Sequence, residues 1–236
     1  MTPSDDDGSY GPLDFRQPDS YRREDFILTK ANSRAFDRIT GDAWPDGRLV
    51  LVGPAASGKT HVATIWTGMS EGLLIPAARL PDLRIGDIPP GTSVAVDDSD
   101  LIASRPDLEA PLLHLINYVG EQGGAILMTA CQAPTRWGCR LADLGSRLEG
   151  ASLVRLRQPD DHTLAAILVK LFADRQIAVP SDVVEYIVPR IERSYSDAVG
   201  VVERINRRSL GTGKRITRRL AADVMKEVLL EESCRD

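Results

Sequence analysis

Eight consecutive residues, Gly53-Pro54-Ala55-Ala56-Ser57-Gly58-Lys59-Thr60, fill every fixed position of the phosphate-binding loop pattern G-x-x-x-x-G-K-[ST]. In such a loop the glycines let backbone N–H groups curl around a phosphate. The helix that follows, opening here at His61, adds the partial positive charge of its amino end. The Lys59 ammonium can reach β- and γ-phosphates, and the Thr60 hydroxyl can ligate Mg2+. A second group of chemistry-bearing residues ends the apolar run Val94-Ala95-Val96-Asp97-Asp98. Asp97 would hold the magnesium ion, and Asp98 would orient or deprotonate an attacking water. Aspartates also end strands and cap helices. After a complete phosphate loop, the pair points to a site for a nucleoside di- or triphosphate with Mg2+.

These groups need a scaffold, and the flanking sequence supplies one. Leu49-Val50-Leu51-Val52 is a short β-branched, apolar run that reads as a buried strand. Further strands are read at residues 73–75, 93–96, 125–128 and 152–156, with helices at about 31–39, from 61 onward and at 107–122. Strands alternating with helices imply a parallel sheet covered on both faces. Beyond Pro159 the pattern turns wholly helical, at about 161–174, 181–193, 196–208 and 217–231. The expected organisation is therefore a polar arm over residues 1–22, a nucleotide-binding α/β domain over 23–159 and a helical lid over 160–236.

Bulk properties narrow the setting. The net charge of −5 argues against nucleic-acid binding by the whole surface. No run approaches 18 apolar residues, and the acidic start is no secretory signal, so a cytoplasmic protein without a membrane contact is expected. Cys131, Cys139 and Cys234 have no metal-ligand spacing and read as free thiols.

At this point the chain resembles the AAA+ family, in the clade of the replication initiator DnaA, and within it the Hda family of DnaA-like regulators that inactivate the initiator. The motifs that carry the resemblance are the phosphate loop, the acidic pair Val96-Asp97-Asp98, and Leu144-Gly145-Ser146-Arg147-Leu148-Glu149-Gly150. The segment Arg23-Glu24-Asp25-Phe26-Ile27-Leu28 adds to them. The resemblance implies a five-stranded parallel AAA+ sheet flanked by helices, followed by a small helical lid. It implies that Ile27 and Leu28 lie near the adenine. It also implies that Arg147 is an arginine finger acting in trans on ATP held by DnaA, whereas composition alone would make Arg147 an ordinary surface arginine.

Family members bind the DNA polymerase III sliding clamp through a glutamine–leucine motif in the arm. Here Tyr10 stands in place of the glutamine, leaving Leu13 and Phe15 as the anchors. Cys131 replaces an acid or amide after the fourth strand, where Thr129 can compensate, and a thiol is a poor partner for a catalytic water. Ser196 replaces the lid arginine that touches the phosphates, unless Arg190 or Arg193 substitutes. Intrinsic ATP hydrolysis is thus expected to be weak or absent. The basic residues Arg204, Arg207, Arg208, Lys214, Arg215, Arg218 and Arg219 form either a solvated helix face or a contact for DNA or an acidic partner. Self-association is compatible with an exposed Arg147. The competing expectation is an autonomous DNA-dependent ATPase of the helicase-loader or transposition-helper type.

Overall fold

The computed structural model describes Leu28, residues 32–41 and residues 44–233, with the backbone alone at Ser196 and at residues 228–233. The arm with Leu13 and Phe15, together with Ile27 and Cys234, lies outside the described residues.

The chain runs α1 (Ser33–Thr40), β1 (Arg48–Val52), α2 (Lys59–Met69), β2 (Leu73–Pro76), β3 (Val94–Asp97), α3 (Glu109–Glu121), β4 (Ile126–Ala130), α4 (Ala142–Glu149) and β5 (Ser152–Arg155). Four helices follow: α5 (Asp161–Asp174), α6 (Ser181–Ile187), α7 (Tyr195–Thr212) and α8 (Arg218–Ser233). The five strands are all parallel, in the order β2-β3-β4-β1-β5. Strand β1 lies between β4 and β5, with Leu49, Val50 and Leu51 fully buried. Burying each such side chain stabilises the fold by about 1.5–3 kcal/mol.

Alternation along the strands divides the core. Val50, Val52, Val94, Val96, Ile126 and Met128 face α3 and α4, whereas Leu49, Leu51, Ala95 and Leu127 face α1 and α2. A parallel sheet covered on both faces needs this near-continuous apolar character, which is why the strand runs were legible. On the α2 face Trp44 and Trp66 stack with ring centroids 4.9 Å apart. Helices α5 to α8 have their own apolar core, centred on Leu164, Leu168, Phe172, Val183, Val202 and Ala221.

Three local readings change. The helix read over 181–193 ends at Ile187 and gives way to a 3-10 turn, Val188–Arg190, because Pro189 has no N–H to continue the ladder. Helix α3 tolerates Pro111 because that residue falls in its first turn, where N–H groups have no helical partner. Helix α4, which carries Arg147, is absent from the expected elements. Its signal is only the four-residue spacing of buried Leu144 and Leu148. Its amino end is held from a distance: the buried Glu109 carboxylate accepts hydrogen bonds from the N–H groups of Arg140 and Leu141 at 2.8–3.0 Å.

Candidate nucleotide site

The phosphate loop leaves β1 at its carboxyl end, where ligands collect in open parallel sheets. It is packed closely. A side chain at Gly53 would come within 2.7 Å of Ser57 Oγ and 2.8 Å of the Leu156 carbonyl. Ala56 and Gly58 take left-handed backbone angles, with φ of 56° and 95°, which turn the loop back on itself. The Ser57 hydroxyl is buried without a hydrogen-bond partner among the described residues. Lys59, only 6% exposed, donates to the carbonyls of Gly53 (3.0 Å) and Pro54 (2.9 Å) and approaches Cys131 Sγ at 3.5 Å.

The acidic pair is tied to this loop through two threonines. Thr60 Oγ1 donates to Asp97 Oδ2 at 2.8 Å. The fully buried Thr129 hydroxyl donates to Asp97 Oδ1 and accepts the Asp98 N–H at 3.0 Å. Thr129 therefore sets the acidic pair in place rather than standing in for the polar group missing at Cys131. Asp98 follows with a left-handed φ of 54°, a strained angle for a non-glycine residue. Its carboxyl is pushed above the ordinary value, first by partial desolvation and then by the Asp97 charge, with Lys59 acting in the opposite direction. One carboxylate and one hydroxyl, both hard oxygen donors, suit a magnesium ion that takes its remaining ligands from phosphate and water. Asp100 fixes the adjacent loop, accepting the N–H groups of Cys131 (2.8 Å) and Gln132 (3.1 Å).

A cleft of about 590 Å3 opens over these groups, with a floor of Ala55, Ala56, Gly58, Lys59, Thr60 and His61, and with Asp98 and Cys131 at its side. Residues of α5 and α7 form the opposite wall: Leu171, Asp174, Tyr195, Val199 and Glu203, joined by Arg175 just beyond α5. His61, at the start of α2, meets Tyr195 edge-on with centroids 5.3 Å apart. The wall was not legible in the sequence. Arg190 and Arg193, the expected substitutes for the lid arginine, do not line the cleft. Arg190 Nη1 donates to the Tyr186 carbonyl at 2.8 Å, and Arg193 pairs with Asp161 at 2.8 Å. Leu28 is 52% exposed and is not among the residues that line the cleft.

Arg147 is not brought to this site. It lines a second cleft of about 250 Å3 with Arg48, Asn117 and Gly124, at the amino ends of β1 and β4. The length of β1, roughly 15 Å, separates it from the phosphate loop. The half-buried Arg147 side chain has no ion pair or hydrogen bond among the described residues. In the basic stretch, Arg208 pairs with Glu227 and Arg218 lies 5.2 Å above the Tyr186 ring, so part of that charge is used within the helical region.

No family model matches the chain. It is 32% identical over 133 residues to the chromosomal replication initiator protein DnaA of Thermomicrobium roseum, an alignment spanning 56% of this chain and 28% of that protein. The aligned part is thus under a third of the relative's length. Domain III of the Thermotoga maritima replication initiation protein DnaA superposes with a TM-score of 0.75 at 17% identity, covering 89% of this chain and 97% of that one. AMPPCP-bound DnaA from Aquifex aeolicus superposes with a TM-score of 0.67 at 16% identity, covering 80% of this chain and 66% of that one. The chain is DnaA-like in sequence over a little more than half its length, and its fold is that of domain III of DnaA. No helix among the described residues is long and apolar enough to cross a membrane.

Proposed function

We propose that this protein is a nucleotide-holding, DnaA-related regulator that stimulates hydrolysis of ATP bound to DnaA, and so represses repeated initiation of chromosome replication. The observation that carries the reading is the position of Arg147: unpaired, on α4, and at the far end of β1 from the chain's own phosphate loop. From there it serves a nucleotide held by a neighbour. A guanidinium delivered in trans to a γ-phosphate raises hydrolysis by about 10³–10⁵. The likeness to an AMPPCP-bound DnaA and the intact loop support ADP or ATP as the ligand of this chain.

In this reading residues 23–159 form the nucleotide domain, residues 160–236 its lid and residues 1–22 a clamp-binding arm. Lys59 and the loop N–H groups hold the phosphates. Thr60 and Asp97 hold Mg2+, which when bound neutralises phosphate charge. Leu13 and Phe15 of the arm anchor the DNA-loaded sliding clamp, which brings Arg147 to DnaA. The decisive measurement is ATP hydrolysis by DnaA with loaded clamp and either the unmodified protein or its Arg147→Ala variant. The variant keeps its fold and nucleotide affinity and loses the stimulation; undiminished stimulation by it defeats the reading.

The intact set of Lys59, Thr60, Asp97 and Asp98 favours one second reading, an autonomous DNA-dependent loader or remodelling ATPase. DNA-stimulated turnover by this chain alone, abolished in Asp98→Asn, would establish it.

A further inference from the structure

Arg175 directly follows α5 and lines the nucleotide cleft on the wall opposite Lys59. Among the described residues it is the one arginine or lysine of the helical region that does so. Its Nη1 donates to the Leu171 carbonyl at 2.9 Å, which keeps the side chain folded over the end of α5. Its Nη2 lies 3.6 Å from Glu203 Oε1 on α7, and the two side chains are 27% and 53% exposed. An ion pair this long and this wet contributes little, about 0–1 kcal/mol. Glu203 lines the same cleft, so its carboxylate faces whatever anion the phosphate loop holds.

We propose that Arg175 is the lid's contact to the bound nucleotide, and that nucleotide binding draws its guanidinium away from Glu203 onto the polyphosphate. The proposal rests on the nucleotide-binding reading above and adds to it the residue through which the lid senses occupancy. A nucleoside diphosphate carries several negative charges into a cleft partly screened from water. There a charge-assisted hydrogen bond is roughly twice as strong as a neutral one. The guanidinium exchanges a weak partner for a strong one. Glu203, left facing the same anion, opposes binding. Arg175 and Glu203 therefore act on nucleotide affinity with opposite signs.

That sign separates the proposal from a structural role. If the pair only staples α5 to α7, losing either member loosens the lid and weakens binding in the same direction. The test is titration of the full-length protein with Mg-ADP by calorimetry, comparing Arg175→Ala, Glu203→Gln and Lys59→Ala, with circular dichroism to verify folding. Arg175→Ala should weaken ADP binding by about tenfold, the loss of one charge-assisted hydrogen bond. Glu203→Gln should tighten it by roughly threefold, as one like charge is removed from a partly solvated cleft. Lys59→Ala should abolish it. Unchanged affinity in Arg175→Ala, or weakening in both lid variants, overturns the proposal while leaving the nucleotide site standing. Should Arg175→Ala fail to fold, weakened or unaltered binding by Glu203→Gln overturns it equally. Absence of ADP binding by the unmodified protein overturns both the proposal and the nucleotide reading.

Discussion

The Glu109 carboxylate accepts the Leu141 N–H at 2.8 Å and thereby closes the amino end of α4 from a residue on α3. The same carboxylate accepts the Arg140 N–H through both oxygens, so the two N–H groups that lead into α4 are held by a buried anion. Glu109→Ala should destabilise the protein by about 1.5–3 kcal/mol, because partly buried N–H groups lose a charged partner. Glu109→Gln, which keeps one acceptor oxygen, should lose less. Urea unfolding monitored by circular dichroism measures both. Equal stability of Glu109→Ala and the unmodified protein would refute the capping role.

Thr129 links the acidic pair through a single hydroxyl, donating to Asp97 and accepting from the Asp98 backbone. Thr129→Val conserves shape and deletes both bonds. It should lower stability by about 1–3 kcal/mol and reduce the gain in ADP affinity that Mg2+ provides. Calorimetric titration with and without Mg2+ tests this. A Mg2+ effect of unaltered size would mean that Asp97 is positioned without Thr129.

Asp98 supplies a pH signature. Partial burial and the Asp97 charge raise its pKa above the ordinary 3.8. A raised folded pKa means that the native state binds the proton more tightly than the unfolded chain. The associated stability is therefore fully present below the unfolded value and is lost as pH rises through the folded one. Asp98→Asn has no such loss. Its stability relative to the unmodified protein should increase as pH rises from the ordinary carboxylate value and then level off. A difference that shrinks over that range contradicts the environment described for this carboxyl.

The two described cysteines differ in surroundings. Cys131 is exposed in the nucleotide cleft beside Lys59, whereas Cys139 is half-buried. Burial and the nearby Glu109 charge push the Cys139 thiol up, disfavouring its reactive thiolate. Alkylation followed by peptide mass spectrometry should label Cys131 first. Added ADP should slow that labelling and leave Cys139 unaffected. Labelling of Cys131 at the same rate with saturating ADP would place the nucleotide elsewhere.

How much of this was legible depended on distance along the chain. The phosphate loop, β1 and β3 announce themselves within a few residues, because tight turns and fully buried strands demand particular local sequence. Thr60 and Asp97, 37 residues apart, are brought together by the fold, and each is marked in the sequence by a motif of its own. The cap by Glu109 over α4 and the approach of Arg175 to the cleft have no local signature, since each exists only after separate helices pack. Arg190 and Arg193 show the same limit from the other side. Both lie close in sequence to the expected lid position, yet the turn forced by Pro189 and the pairing with Asp161 take them elsewhere.

The stacked Trp44 and Trp66 have an optical consequence. Trp66 rides on α2, the helix whose first residues are Lys59 and Thr60, and its ring overlaps Trp44 from the segment entering β1. The remaining tryptophan, Trp137, is buried in the loop after β4 with its indole N–H on the Gln132 carbonyl at 2.8 Å. The three tryptophans thus fall into two surroundings, a pair coupled through space and a single buried ring. A small shift of α2 would alter the near-ultraviolet dichroism of the stacked pair while the emission of Trp137 stayed constant. Movement of the phosphate-loop helix can therefore be followed in the unlabelled protein.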